Sequence, residues 1–92
     1  MSTWTITIRT SGAADQQVGE CIGSDDLLYV AGPLIRTLAI VPGVKDAWID
    51  GGVTLALADG RGVVIEPRDD MPYDEYDTAI EALQPLIDTC TD

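Results

Sequence analysis

The chain has 92 residues, of which sixteen are acidic and five are basic, and its formal net charge at neutral pH is −11. A chain of this length forms one domain with a modest core, and a hydrophobic share of 46% argues against disorder. The strong negative charge disfavours direct binding to nucleic acid or to anionic membranes. We therefore expect a single domain over residues 1–92, with basic protein surfaces as partners.

Location and cofactors follow from what the sequence lacks. No apolar run reaches the roughly 20 residues of a membrane span, and residues 1–10 do not show the pattern of a signal peptide. Histidine is absent, and the two cysteines, Cys21 and Cys90, are far apart in sequence. Zinc and iron–sulfur sites need clustered cysteine or histidine ligands. We expect a cytoplasmic protein without membrane contact, metal or cofactor; in an oxidising compartment the cysteines could form one disulfide.

The first predicted element is a strand over residues 3–10. Threonine alternates there with Trp4, Ile6 and Ile8, which is the period of a half-buried strand. Residues 11–23 contain three glycines and show no hydrophobic period, so we predict a long loop.

A helix is predicted next, with two alternatives for its start. A hydroxyl and two carboxylates at residues 24–26, with Ser24 as the cap, are typical of a helix start. Pro33 is unfavourable inside a helix but welcome at its first position. Either one kinked helix spans residues 25–41, or Leu27–Val30 is extended and the helix begins at Pro33. Pro42 and Gly43 predict a sharp end.

Three short strands follow the helix. They cover Val44–Ile49, Val53–Ala58 and Gly62–Glu66, and Asp-Gly steps separate them. Such steps are typical of tight hairpin turns, so the pattern predicts a β-meander.

A second helix is predicted from about Asp74. Apolar residues recur there at helical spacing, and Pro85 predicts a kink or an early end. The compact arrangement of all these elements is an α+β sandwich, β-α-β-β-β-α, in which a four-stranded, mainly antiparallel sheet has both helices on one face. The predicted core comprises Trp4, Ile6, Leu34, Leu38, Val53, Leu55, Ile65, Ile80 and Leu83.

The acidic residues are concentrated near the C-terminus. Residues 66–92 contain nine acids and one base, whereas residues 1–65 contain seven acids and four bases. Acids at the start of a helix suit its dipole, but acids in the preceding linker have no such structural reason. We interpret this region as a binding face for a basic protein, with a tryptophan as a further interface anchor. The predicted binding residues are Asp69, Asp70, Asp74, Glu75, Asp77 and Trp48.

Catalytic and metal-binding patterns are missing from the sequence. There is no histidine, no glycine-rich phosphate loop and no nucleophile in a recognisable context. The acidic run lacks the central glycine and the spacing of an EF-hand. The arginines are scattered rather than arranged in a basic stripe. We predict that the chain is not an enzyme and does not bind nucleic acid directly.

One stretch has a family resemblance. Residues Gly32–Leu57 contain Pro33-Leu34, then Pro42-Gly43-Val44, then Val53-Thr54. In this order the stretch resembles the N-terminal domain of Nfu-type iron–sulfur scaffold proteins, and its Pro-Gly-Val step is similar to that of heavy-metal-associated domains. The resemblance implies a small α/β sandwich. The cysteine pair that binds the cluster or metal in those families is absent here, so no ligand is carried over.

The sequence favours a non-enzymatic, acidic interaction module that inhibits a partner by occupying its basic, nucleic-acid-binding surface. Its size and charge are similar to those of phage anti-CRISPR and anti-restriction proteins. One alternative is an accessory domain in iron–sulfur or metal-cofactor assembly, which the resemblance implies. The other is a salt-adapted domain in which the acids serve only solubility.

Overall fold

The computed structural model describes residues 3–68 and 71–90. Its elements are β1 (Thr3–Arg9), β2 (Gln16–Ile22), α1 (Gly23–Ile40), β3 (Val44–Ile49), β4 (Val53–Leu57), β5 (Gly62–Pro67) and α2 (Tyr73–Cys90). The strands form an antiparallel sheet in the order β2-β1-β5-β4-β3. The α+β class is confirmed, and the predicted meander corresponds to β3, β4 and β5.

The prediction of four strands is wrong, because part of the expected loop at residues 11–23 is strand β2. This strand pairs with β1, so that Cys21 lies opposite Trp4 and Gly19 lies opposite Ile6. The register shifts after Ile6, which breaks the alternation of the pairing. Strand β2 is also an edge strand, and most of its residues are exposed. An edge strand with one buried residue has no hydrophobic period for a sequence reading to detect.

Helix α1 is continuous through Pro33, so the alternative of a single helix is correct, and the alternative of an extended segment before a helix at Pro33 is wrong. Pro33 is exposed, and the hydrogen bond that it cannot make would have reached the carbonyl of Tyr29, which is also exposed. Water can therefore satisfy that carbonyl. The helix begins at Gly23, before Ser24, so the predicted hydroxyl cap is wrong. The Asp26 carboxylate instead accepts a 2.9 Å hydrogen bond from the backbone N–H of Ile22.

Helix α2 likewise continues past Pro85 to Cys90, so the expectation of an early end is wrong. Pro85 is exposed, as is Glu81, whose carbonyl loses its helical partner. Both helix prolines thus face solvent, where the loss of one hydrogen bond is least unfavourable.

The core lies between one face of the sheet and the two helices. The strand residues of this face meet buried residues of both helices in a single cluster, so the helices share one face as predicted. Of the nine predicted core residues, seven are buried, and Leu34 and Ile80 are half-buried against the same cluster. The buried set on the sheet is Trp4, Ile6, Cys21, Val53, Leu55, Leu57, Val63 and Ile65, and on the helices Leu27, Ala31, Ile35, Leu38, Ala79, Leu83 and Ile87.

The other side of the sheet has no helix over it, and we call it the open face. A row of paired residues crosses it from Thr7 through Val64 and Thr54 to Trp48. Val64 is buried within this row although it is not part of the core cluster. The open face is therefore a second surface, chemically distinct from the helix side of the molecule.

Candidate protein-binding surface

Three of the predicted acids lie on the first two turns of α2. Asp74, Glu75 and Asp77 are exposed, and none has an ion-pair partner within residues 3–68 and 71–90. The chain enters this helix at Pro72, whose carbonyl accepts hydrogen bonds from the backbone N–H groups of residues 75 and 76. The helix dipole favours carboxylates at this end. Asp69 and Asp70 lie outside the described residues.

The start of α1 lies beside the start of α2. A cleft of about 440 Å³ separates them, and its lining includes Asp25, Asp74 and Glu75. Further along, Leu86 of α2 lies closest to Gly32 of α1, so the two helices run in the same direction. Both N-terminal ends, each with its acids, therefore lie at one end of the molecule.

Charge separates the two layers of the fold. The helix layer, residues 23–40 and 73–90, contains seven exposed carboxylates and one basic residue, Arg36, a net charge of −6. The sheet layer, residues 3–22 and 41–68, contains six carboxylates and four basic residues, a net charge of −2. The helix layer is thus the more negative side. Its acids are Asp25, Asp26, Asp74, Glu75, Asp77, Glu81 and Asp88.

Ion pairs reinforce this separation. Three are found in the sheet layer, joining Arg9 to Asp15, Arg61 to Asp59, and Arg68 to Glu20, at 3.4, 2.7 and 3.3 Å. Each of these pairs neutralises a carboxylate locally. The acids at the start of α2 take part in no such pair among the described residues.

Two tyrosines beside the acids were missed by the sequence reading. Tyr29 is 81% exposed and Tyr73 is 77% exposed. Tyr73 also lies 6.4 Å, between ring centroids, from Tyr76 of the same helix. Large exposed aromatic rings are enriched at protein interfaces. Helical spacing did not contain this signal, because residues three positions apart share one helix face and Tyr73 would be expected beside Tyr76.

Trp48 does not join the acidic residues. It lies on β3, the edge strand of the sheet, opposite Thr54 of β4 and 47% exposed. Its neighbour Ala47 packs against the core, so the alternation of the strand turns Trp48 to the open face. The predicted site is therefore divided: the acids of α2 lie on the helix layer, and the tryptophan lies on the opposite side of the sheet.

The described residues offer little for metal or thiol chemistry. No group of three metal-ligating side chains is gathered within residues 3–68 and 71–90. Both cysteines are free, and burial raises the pKa of the Cys21 thiol and of the Cys90 thiol. A raised pKa keeps a thiol protonated at neutral pH and lowers its reactivity.

Comparison of the chain with protein-family models, with curated proteins and with solved structures finds no match. In the part of the chain that the structure describes, neither helix is long and apolar enough to cross a membrane.

Proposed function

We propose that this chain is a non-enzymatic interaction module whose helix layer binds a basic surface of a partner protein, of the kind that otherwise holds nucleic acid. The observation that carries the proposal is the charge difference between the layers, −6 against −2. Asp74, Glu75 and Asp77 have no ion-pair partner among the described residues, whereas three of the six sheet-layer carboxylates are paired with arginines. A surface of one sign attracts an oppositely charged partner and accelerates its association.

The proposed contact centres on the N-terminal end of α2. Asp74, Glu75 and Asp77 provide charge without internal partners, and Tyr73 provides an exposed ring beside them. Charged residues at an interface rim mainly set the association rate, whereas rings at its centre supply affinity. Occupation of a nucleic-acid-binding surface by this end would inhibit the partner by direct competition.

The test compares two triple variants with equal net charge. The first is Asp74→Asn, Glu75→Gln and Asp77→Asn in the helix layer. The second, the matched control, is Asp46→Asn, Asp50→Asn and Glu66→Gln in the sheet layer. Both remove three negative charges from exposed positions. Any difference between them therefore reports where the charge lies and not how much there is.

Binding is measured against a partner isolated from the organism that encodes the chain, at low and at physiological salt. We expect the helix-layer variant to associate roughly 10-fold more slowly at low salt and the control to stay near wild type. Nucleic acid should displace the chain from its partner. Equal slowing of both variants would contradict the proposal and favour a general effect of net charge. A protein that loses its fold at low salt and binds no partner would favour salt adaptation.

A further inference from the structure

The open face contains a shallow depression beside Trp48. Its volume is about 360 Å³, and its lining includes Arg9, Arg61, Trp48, Ala56 and Gly62. Small-molecule sites in proteins start at roughly 300 Å³. The depression is remote from the acidic end of the helices, and it collects two of the five basic residues of the chain.

Two glycines line this depression, and Gly62, unlike Gly60 with its φ of +94°, has no structural explanation. Gly62 lies in β5, opposite Arg9 of β1 and Ala56 of β4. A Cβ atom at this position would meet only the carbonyl oxygen of Leu55 at 3.6 Å and the Cβ of Arg9 at 4.0 Å, which are ordinary contacts. Its backbone is not in the left-handed region either. Glycine is unfavourable in strands and often marks a place where a ligand comes close. Its effect here is to leave space beside the two arginines.

Each arginine contacts a neighbouring carboxylate through its Nε. The Nε of Arg9 lies 3.4 Å from Asp15, and the Nε of Arg61 donates a 2.7 Å hydrogen bond to Asp59. Neither arginine donates a hydrogen bond from its terminal Nη atoms to any of the described residues. A guanidinium fixed in this way has donors left for another anion. Two such groups around one space suit the three oxygens of a phosphate better than the two of a carboxylate.

Trp48 supplies the remaining recognition element. Its ring is half exposed on the open face and lies across from Thr54, which is small enough to leave the ring accessible. Indole rings stack on nucleobases irrespective of sequence. The depression therefore combines a stacking surface, two phosphate donors and a floor without large side chains.

We propose that this depression binds a nucleoside monophosphate, with the base on Trp48 and the phosphate between Arg9 and Arg61. The net charge of −11 repels a long nucleic acid, whose charges extend over the acidic surface as well. A mononucleotide has a charge of about −2 at one end only. It can therefore approach the arginines without crossing the helix layer.

The test is a titration of the full chain with adenosine monophosphate, followed through the two indole N–H signals in NMR spectra. We expect the Trp48 signal to move and the signal of buried Trp4 to stay. Adenosine, which lacks the phosphate, and inorganic phosphate, which lacks the ring, should each bind roughly 10-fold more weakly. Equal binding of adenosine and adenosine monophosphate would overturn the role of the arginines. A Trp48 signal that stays unmoved up to about 10 mM nucleotide would overturn the site.

Two variants provide a second test of the proposed nucleotide site. Gly62→Val fills the depression at a position where a side chain has room, so binding should fall roughly 10-fold while the fold is retained, as judged by the remaining NMR signals. Arg36→Ala is the matched control, because it removes an exposed arginine from the helix layer. Wild-type affinity in Gly62→Val, or an equal loss in Arg36→Ala, would contradict the assignment.

Discussion

The indole ring of Trp4 stacks on the phenol ring of Tyr76, with the ring centroids 6.0 Å apart and the planes inclined by 18°. This contact joins β1, an interior strand of the sheet, to α2. Trp4 is fully buried, whereas Tyr76 is half-buried at the side of the core. The pair therefore fixes the acidic end of α2 to the sheet, and it connects the stability of the fold to the position of the proposed binding surface.

Trp4→Phe should change the free energy of unfolding by no more than about 1 kcal/mol. The buried Nε1–H of Trp4 has no hydrogen-bond partner among the described residues, and such a group is unfavourable by about 1–3 kcal/mol. Phenylalanine removes this donor and keeps a ring for Tyr76. The smaller ring leaves a cavity that costs on the order of 1 kcal/mol, so the two effects nearly cancel. Urea unfolding at neutral pH measures the difference.

Trp4→Ala is the control for that prediction. It removes the ring as well as the donor and should lower the free energy of unfolding by about 3–5 kcal/mol. A loss of this size in Trp4→Phe would show that the indole nitrogen has a partner that matters.

Two adjacent glycines in the turn between β3 and β4 should respond differently to alanine. At Gly52, which is buried with a φ of +157°, a Cβ atom would clash with the carbonyl oxygen of Ile65 and lie 3.1 Å from the Cα of Glu66. Gly51 has a φ of +67° and open space around it. We expect Gly52→Ala to cost more than about 3 kcal/mol, and Gly51→Ala only the 1–2 kcal/mol of a left-handed backbone. Thermal and urea unfolding of both variants would show the order; similar losses would contradict it.

Pro85→Ala should stabilise the protein by about 1–3 kcal/mol. An interior helix proline is less favourable than alanine by about 3 kcal/mol, and part of this is offset because proline also restricts the unfolded chain. Pro85 is exposed, so its ring contributes little packing. Pro72→Ala is the control, since Pro72 precedes α2 and its carbonyl remains available. A gain in the control but not in Pro85→Ala would contradict the explanation.

The sequence was most informative where side chains follow a strict period. The alternation around Trp4 and Ile6 and the Asp-Gly steps between later strands identified β1 and the meander, because each residue there has one buried or one turn-forming role. Strand β2 escaped detection because, among its residues, only Cys21 is buried. The effect of the two helix prolines was not predictable from the sequence, for a different reason. Their unfavourable effect depends on which side of the helix they occupy, and that is known only once the packing is known.

The sequence identified several residues of the candidate site but not their positions relative to one another. Charge counts along the chain identified the acids at the start of α2. They could not show that α1 brings Asp25 and Tyr29 to the same end, because that depends on the two helices running in the same direction. They could not separate Trp48 from the acids either. The face on which Trp48 lies is set by the register of β3 with β4. The sequence did not show how β3 is placed relative to the helices.

The last prediction concerns Asp59 in the turn between β4 and β5. Its carboxylate accepts a 3.1 Å hydrogen bond from the backbone N–H of Arg61 and a 2.7 Å hydrogen bond from its Nε. These bonds and the charge of the guanidinium lower the pKa of Asp59 below its ordinary value of 3.8. The unfolded chain, in which Asp59 has its ordinary pKa, therefore binds the proton first as the pH falls.

The contribution of Asp59 to stability is complete above pH 3.8, its ordinary pKa, and is lost as the pH falls through the lowered pKa of the folded state. Asp59→Asn should accordingly be less stable than wild type at pH 7, and the difference should narrow on acidification below about pH 4. Urea unfolding of both proteins between pH 7 and acidic pH measures this difference in stability. Asp50→Asn, in the turn between β3 and β4, is the control, because its carboxyl has no ion-pair partner among the described residues. A difference that stays constant on acidification would show that the charge of Asp59 does not contribute to it, and would contradict the prediction.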